Sequence, residues 1–363
     1  MKVCHVINSL NRGGAESHLL ELIKAQLDRD ISVTVLVIGK DNSDIYSIEN
    51  NIVELNVPIF RLKGPRMFNL TSYFKMYNYL ISSSFDIVHS HQPRSDFMVG
   101  FLKEKLFKRG INFKWIVSIH GKHDTYLPNS STKNIKLLFF KLVKKFWKKA
   151  DEIIVISEEV KNWFENLNLD KKPNVISYWM SKKNINNLTT KVPTFGYLGR
   201  INQNKGIEDL LEVFNSIEDE YELKIGGVGE ESYVNKIKKN INQSQNKKIE
   251  FLGYVENQDK FFQKIDFFVF PSYSEGLGLV LLEAMSYQKI CITRNVPPMN
   301  KFINNHSGYL FSDNNELSNV IKLSIQNYNN SEFYKMKIKE MTKVLDRYDL
   351  QNLFPKLLEL YKK

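Results

Sequence analysis

The stretch FFVFPSYSEGLGLVLLEAM, residues 267–285, decides how the chain is read. It opens on an apolar run, Phe267 to Phe270, the pattern of a strand buried on both faces of a parallel sheet. Pro271 and Ser272 end that strand, and a small polar loop follows with Glu275, Gly276 and Gly278. The run over 277–285 predicts a helix that starts at once, so its unpaired N–H groups and positive dipole end face the loop. Such an end is a ready anion site, and the glycines let a ligand approach the backbone closely. Glu283 lies eight residues beyond Glu275. On a regular helix, eight steps of about 100° return it to nearly the same side, roughly two turns deeper. The expectation is two carboxylates and a set of amides at the carboxyl end of one strand. The plainer alternative is a strand–loop–helix whose carboxylates are a solvated face and a cap.

Strands and helices alternate through the rest of the chain. Residues 3–8 predict a strand, followed by Gly13 and Gly14 and a helix over 17–27. Strand, glycine turn and helix form a phosphate-cradling arrangement, although this one is not Gly-x-Gly-x-x-Gly. Further strands are expected over 32–38, 53–57, 85–89, 115–119, 152–157 and 175–177, with helices over 73–82 and 97–108. Ser157 is placed to cap the helix after its strand. This spacing predicts a doubly wound parallel sheet, whose ligands sit beyond the carboxyl ends of the strands, where His89, His91 and His120 fall. His89 and His91 alone, at i and i+2 without a third partner, make a poor metal pair.

Residues 180–193 are rich in Lys, Asn and Thr, lack apolar periodicity, and read as a linker. A strand over 194–198 then leads into Gly199-Arg200-Ile201-Asn202-Gln203-Asn204-Lys205-Gly206 and a helix over 207–217. Arg200, a planar fork, and Lys205, a point charge, flank that turn, where both can meet one diphosphate. Strands over 223–226, 249–252 and 290–293 and a final helix over 351–363 complete the reading.

These landmarks, in this order, resemble the retaining GT-B glycosyltransferases of family 4 (glycosyl transferases group 1). The resemblance rests on Glu-x7-Glu at 275–283 and on Gly-Arg…Lys-Gly at 199–206. It implies an α/β, GT-B fold of two Rossmann-like doubly wound domains facing each other across a cleft. Residues 1–180 would bind the acceptor, with helix 351–363 packing back on them, 181–193 would link, and 194–350 would bind a nucleotide-sugar. It further implies that Gly276, Leu277, Gly278 and Leu279 hold the donor's sugar and diphosphate and that Glu283 binds the ribose. Gly13, Gly14 and Gly227 would line the donor site, and Tyr254 and Val255 would meet the base. His120, Arg200, Lys205 and Glu275 form the implied catalytic set: Glu275 on sugar hydroxyls, His120 near the sugar, the two cations on the leaving nucleotide. Since cations and amides can do a metal's work, no metal and no cofactor is expected, and the nucleotide-sugar, UDP-linked, is substrate. Two segments depart from the family pattern: Ser177-Tyr178-Trp179-Met180, where Asn-Gly-hydrophobic-Asp is usual, and 295–300. The reaction class expected is sugar transfer to a lipid-linked glycan of bacterial surface polysaccharide (O-antigen or capsule). The alternatives are a nucleotide-sugar epimerase of the same fold and a non-catalytic sugar-binding protein.

Composition sets the remaining bounds. The chain has 363 residues, 42% of them hydrophobic, and a formal charge of +11. No apolar run reaches the ~20 residues that span a bilayer, and the N-terminus reads as a first strand, not a leader. Cys4 and Cys291 fall in predicted strands, as reduced core thiols. Residues 1–180 carry 26 Lys and Arg against 18 Asp and Glu, a net +8, leaving +3 for the rest. A basic first half suits a phosphorylated acceptor or an anionic membrane surface, and no nucleic-acid motif accompanies it. Residues 133–149 hold seven lysines and no acid, with Ile135, Leu138, Phe139, Phe140, Leu142, Val143, Phe146 and Trp147 on one broad helical face. Such a helix packs as core or lies in a membrane interface, and both hold if its lysines only attract anionic lipid. The expected location is cytoplasmic or peripheral on the inner face of the membrane.

Overall fold

The structure, a computed structural model, describes residues 1–11, 13–39, 47–62, 70–122, 133–180, 183, 192–243 and 248–363, with backbone only for 133–136. Most of the expected linker, and Arg12, His123 and Asp124, lie outside the described residues. The chain divides into two compact units, Met1–Trp179 with Leu350–Lys363, and Met180–Asp349.

The first unit runs β1 (Lys2–Ile7), α1 (Gly14–Leu27), β2 (Ser32–Val37), α2 (Glu49–Glu54), β3 (Ile59–Arg61), α3 (Leu70–Ser83), β4 (Ile87–Ser90), α4 (Pro93–Phe107), β5 (Lys114–Ile119), α5 (Lys133–Trp147), β6 (Glu152–Val155), α6 (Glu158–Glu165) and β7 (Asn174–Val175). All seven strands are parallel, in the order β3-β2-β1-β4-β5-β6-β7. The order reverses between β1 and β4, the switch point at which such sheets open a crevice. In that register His5 lies opposite His89. Ser157 caps α6 as expected, its Oγ accepting from Val160 N at 3.2 Å.

Two expectations are corrected. The strand expected over 53–57 is absent: α2 covers its start, and β3 begins at Ile59. Ile52 is buried while Val53 is 57% exposed, so only one face of this stretch is core. Pairing with β2 starts at Pro58, whose carbonyl accepts from Val35 N. In α5 the single apolar face is divided. Val143 and Trp147 are buried, and Trp147 Nε1 donates to Asp96 of α4 at 2.9 Å. Leu138 and Leu142 instead point outward, 61% and 41% exposed, beside exposed Lys141 and Lys145. Ile135 is outside the described side chains.

The second unit repeats the plan with β8 (Thr194–Leu198), α7 (Ile207–Asn215), β9 (Glu222–Gly226), α8 (Glu231–Gln243), β10 (Ile249–Gly253), α9 (Gln258–Gln263), β11 (Phe267–Phe270), α10 (Leu279–Ser286), β12 (Ile290–Arg294), α11 (Met299–Phe302), β13 (Gly308–Phe311), α12 (Asn314–Gln326) and α13 (Ser331–Leu345). Its parallel order β10-β9-β8-β11-β12-β13 reverses between β8 and β11. Phe267, Phe268 and Val269 are wholly buried, as a strand covered on both faces requires. The last helix, α14 (Leu350–Lys362), belongs to the first unit, where Tyr361 is buried. Cys4 and Cys291 are buried free thiols, and among the described residues no helix is long and apolar enough to cross a membrane.

Candidate functional site

In the second unit, the loops after β8, β9, β10 and β11 meet at the carboxyl ends of the strands. The loop after β8 closes with a 3-10 turn, Gln203–Lys205, and Gly206 at φ +66° hands over to α7. A Cβ on Gly206 would collide with the carbonyl oxygen of Pro271, so glycine is what lets this loop press against the one after β11. Tyr273 N donates to Asn204 O at 3.0 Å and Asn204 Nδ2 donates to Ser274 O at 3.1 Å, stitching the two loops. Across that seam Lys205 Nζ donates to Glu275 Oε1 in an ion pair, with side chains 16% and 14% exposed.

The helix after Glu275 begins later than its sequence suggests. Gly278, at φ +81°, caps α10, which starts at Leu279. Glu275, Gly276 and Leu277 therefore lie on the loop, and helical phasing does not relate Glu275 to Glu283. The left-handed turn at Gly278 absorbs the change of direction. Glu283 sits half-buried on α10. The first-turn amides of α10, flanked by Gly276 and Gly278, still present a helix N-terminus at the strand's carboxyl end.

Arg200 is exposed, and its carbonyl accepts from the buried Tyr197 hydroxyl at 2.8 Å, which holds the loop after β8. Gly227 N donates to Gly253 O at 2.6 Å and Ile201 N to Val228 O at 2.8 Å, so three loops interlock. Tyr254 and Val255 are half-buried in the last of them. The sequence reading missed the brace beneath. Arg294, 6% exposed, pairs with Asp209 of α7 at 2.5 Å and donates to Pro271 O and Ser312 O, both at 3.1 Å. Tyr273 lies under the Arg294 guanidinium, 4.2 Å from ring centroid to charge, and donates to the same Asp209. A basic residue ending an apolar strand, as in Ile290–Arg294, was the available signal.

In the first unit, Gly13 is the N-cap of α1 and Gly14 its first residue. Glu16 occupies that first turn, its carboxylate held by Gln92 Nε2 at 2.7 Å, and this negative charge opposes a phosphate there. His120 follows β5 and is half-buried. Its Nε2 is 3.2 Å from His91 Nδ1, and its Nδ1 is hydrogen-bonded to the Tyr178 hydroxyl. His18 of α1 stacks on Tyr178, with centroids 4.2 Å apart. The atypical Tyr178 and Trp179 are thus buried partners of the histidines. His89 and His91 do have a third neighbour, His5 of β1, and ligand atoms of the three lie within 4.8 Å of one another. The sequence reading missed His5 because a lone histidine in a strand carries no spacing signal.

Two family descriptions meet end to end on this chain: Glycosyltransferase Family 4 over residues 12–178 and Glycosyl transferases group 1 over 180–342. The chain belongs to the group 1, family 4 glycosyltransferases. CapM, a capsular polysaccharide biosynthesis glycosyltransferase of Staphylococcus aureus, is 25% identical over 319 residues, covering 81% of each chain. A Campylobacter jejuni alpha-1,4-N-acetyl-D-galactosaminyltransferase, named for a GalNAc-GalNAc-diNAcBac-PP-undecaprenol substrate, is 22% identical over 341 residues, 90% of this chain and 88% of its own. The structure of Anabaena HepE in complex with UDP superposes with a TM-score of 0.79 at 16% identity, over 99% of each chain. That likeness establishes the fold of the transferase as GT-B.

Proposed function

We propose that this glycosyltransferase moves a sugar, with retention of anomeric configuration, from a UDP-sugar to a hydroxyl of a lipid-linked glycan in surface-polysaccharide assembly. The Lys205–Glu275 pair carries the reading, because it sets a cation and a sugar-binding carboxylate side by side next to the N-terminus of α10. The UDP complex of HepE supports the donor nucleotide, and the names of CapM and the Campylobacter enzyme support the acceptor class.

In this reading the acceptor oxygen bonds to the anomeric carbon as the bond from that carbon to the β-phosphate oxygen breaks. The electron pair stays on the phosphate, which also takes the hydroxyl proton. Lys205, Arg200 and the first-turn amides of α10 stabilise the charge that builds there, without calling on a metal. Lysine has three N–H donors, so Lys205 can keep Glu275 while serving a phosphate oxygen. Glu275 accepts from sugar hydroxyls, Glu283 from the ribose, and Tyr254 and Val255 line the base. The outward Leu138 and Leu142 among lysines on α5 support a peripheral position on an anionic membrane.

The test is thermal stability against UDP-, GDP- and ADP-sugars, followed by the anomeric configuration of the product by NMR. A ligand at 100 times its Kd adds about 2.7 kcal/mol. Stabilisation by UDP-sugars alone, lost in Glu283→Ala and Lys205→Ala, with a retained product anomer, is expected. An inverted product or no response to any nucleotide overturns the proposal.

A further inference from the structure

Eight side chains of the first unit form one branched, largely buried hydrogen-bonded chain. Gln26 of α1 sits at the branch point. Its Oε1 is 2.8 Å from His5 Nε2, and its Nε2 donates to the Tyr361 hydroxyl of α14 at 3.0 Å. Along one branch, His5 Nδ1 is 2.9 Å from His91 Nε2, His91 Nδ1 is 3.2 Å from His120 Nε2, and His120 Nδ1 meets the Tyr178 hydroxyl. Along the other, the Tyr361 hydroxyl is 2.8 Å from His89 Nδ1, and His89 Nε2 is 2.8 Å from Ser118 Oγ.

A neutral imidazole has one N–H and one acceptor nitrogen, so the direction of one link fixes the next. Burial above all pushes His5 down to about 4, and His89 and His91 well below the usual histidine range, so these three are neutral at neutral pH. Gln26 offers its carbonyl to His5, which must therefore carry its proton on Nε2 and accept at Nδ1. His91 then carries Nε2–H and accepts at Nδ1, and His120 donates Nε2–H to it. That leaves His120 Nδ1 as the acceptor of the Tyr178 hydroxyl. On the other branch Tyr361 accepts from Gln26, so it donates to His89 Nδ1, and His89 Nε2–H donates to Ser118. Turning the Gln26 amide over would reverse every link in both branches. With the amide as it stands, His91 accepts from His120 Nε2–H whether or not His120 Nδ1 also carries a proton. In the reversed chain His91 would donate to His120 Nε2, and His120 could not be protonated there.

We infer that Gln26 and Tyr361 are positioning residues that, through His5 and His91, set which nitrogen of His120 carries its proton. The role of His120 at the reacting sugar rests on the function proposed above; the tautomer chain does not. The three clustered histidines also invite a metal, but all six of their ring nitrogens are engaged in the links just given, and an ion would have to break several of them.

The experiment is long-range 15N–1H NMR of the histidine rings in the full chain at pH 7.5, comparing wild type with Tyr361→Phe and Ser118→Ala. Wild type should show Nε2–H tautomers at His5, His89, His91 and His120. Tyr361→Phe removes the hydroxyl that orients Gln26, so His5, His91 and His120 should become tautomer mixtures together, in equal proportion. Ser118→Ala touches only the far end of the other branch and should leave those three unchanged. Unaltered His91 and His120 in Tyr361→Phe overturns the inference, as does stoichiometric Zn2+ uptake with loss of the ring N–H signals. Sugar transfer by Tyr361→Phe should fall several-fold with the donor KM unchanged. A fall without any tautomer change, or a tautomer change without a fall, overturns the positioning role while leaving the transferase reading intact.

Discussion

Lys205 and Glu275, seventy residues apart in sequence, form an ion pair that closes the seam between the loops after β8 and β11. Both side chains are mostly buried, so each compensates the other's lost hydration. Glu275→Gln keeps the shape and an acceptor oxygen but leaves Lys205 with an unbalanced charge. Under the proposed mechanism, transfer by Glu275→Gln and Lys205→Ala should each fall roughly 10²–10³-fold, the scale of losing one charge-stabilising group. The loss should appear in kcat of purified, folded variants. Activity within a factor of about three of wild type in both would remove the pair from the chemistry.

The same seam makes a prediction about backbone. Gly206 and Gly278 are both left-handed, at φ +66° and +81°. An L-residue there costs about 1–2 kcal/mol of strain. At Gly206 a Cβ also meets the Pro271 carbonyl, whereas at Gly278 the nearest atom, on Phe270, is 3.6 Å away. Gly206→Ala should therefore destabilise by at least ~2 kcal/mol and Gly278→Ala by only about 1 kcal/mol in urea unfolding. Equal costs would mean that the two loops part without penalty.

The outward face of α5 can be tested separately from catalysis. Leu138 and Leu142 are exposed among lysines, so replacing both with Ser should change stability by no more than about 0.5 kcal/mol per site. If this face enters a membrane interface, partition of the protein onto phosphatidylglycerol-containing vesicles should drop about tenfold, near 1.4 kcal/mol. Partition driven by lysine charge alone would survive the substitutions and vanish in high salt.

Local pattern carried much of this architecture. The run Phe267–Phe270, the glycines after it, and Gly199 to Gly206 all read correctly as strand ends and loops, because burial and turn chemistry act over a few residues. What failed to show was set by register and by distance in sequence. Arg294 and Asp209 are 85 residues apart, and Gln26 and Tyr361 are 335 apart. No periodicity relates such partners; only the sheet order brings them together. The start of α10 was misplaced for a different reason. Leu277 is apolar and buried like a helical residue, and only the positive φ at Gly278 shows that the helix starts after it.

Acid should weaken the fold. Burial holds His5 near 4, and His18, His89 and His91 well below the ordinary 6.5. The unfolded chain takes up protons below about 6.5 that these residues refuse when folded. Stability therefore falls as pH drops through 6.5, by up to ~1.4 kcal/mol per unit for each histidine, and for His5 the loss continues to about pH 4. Asp96 acts with the opposite sign: burial raises its carboxyl to about 7, so the folded chain holds a proton that the unfolded one releases above 3.8. Four histidines outweigh one aspartate, and the net loss between pH 6.5 and 5.5 should be roughly 3 kcal/mol. Asp96→Asn retains a carbonyl oxygen for Trp147 Nε1 but removes the opposing titration, so its loss over the same interval should steepen to roughly 4 kcal/mol. Urea unfolding at the two pH values measures both. Equal stability of wild type at pH 6.5 and 5.5 would mean that the buried histidines accept protons in the folded state, and with that the neutral chain from Gln26 to Tyr178 would be lost.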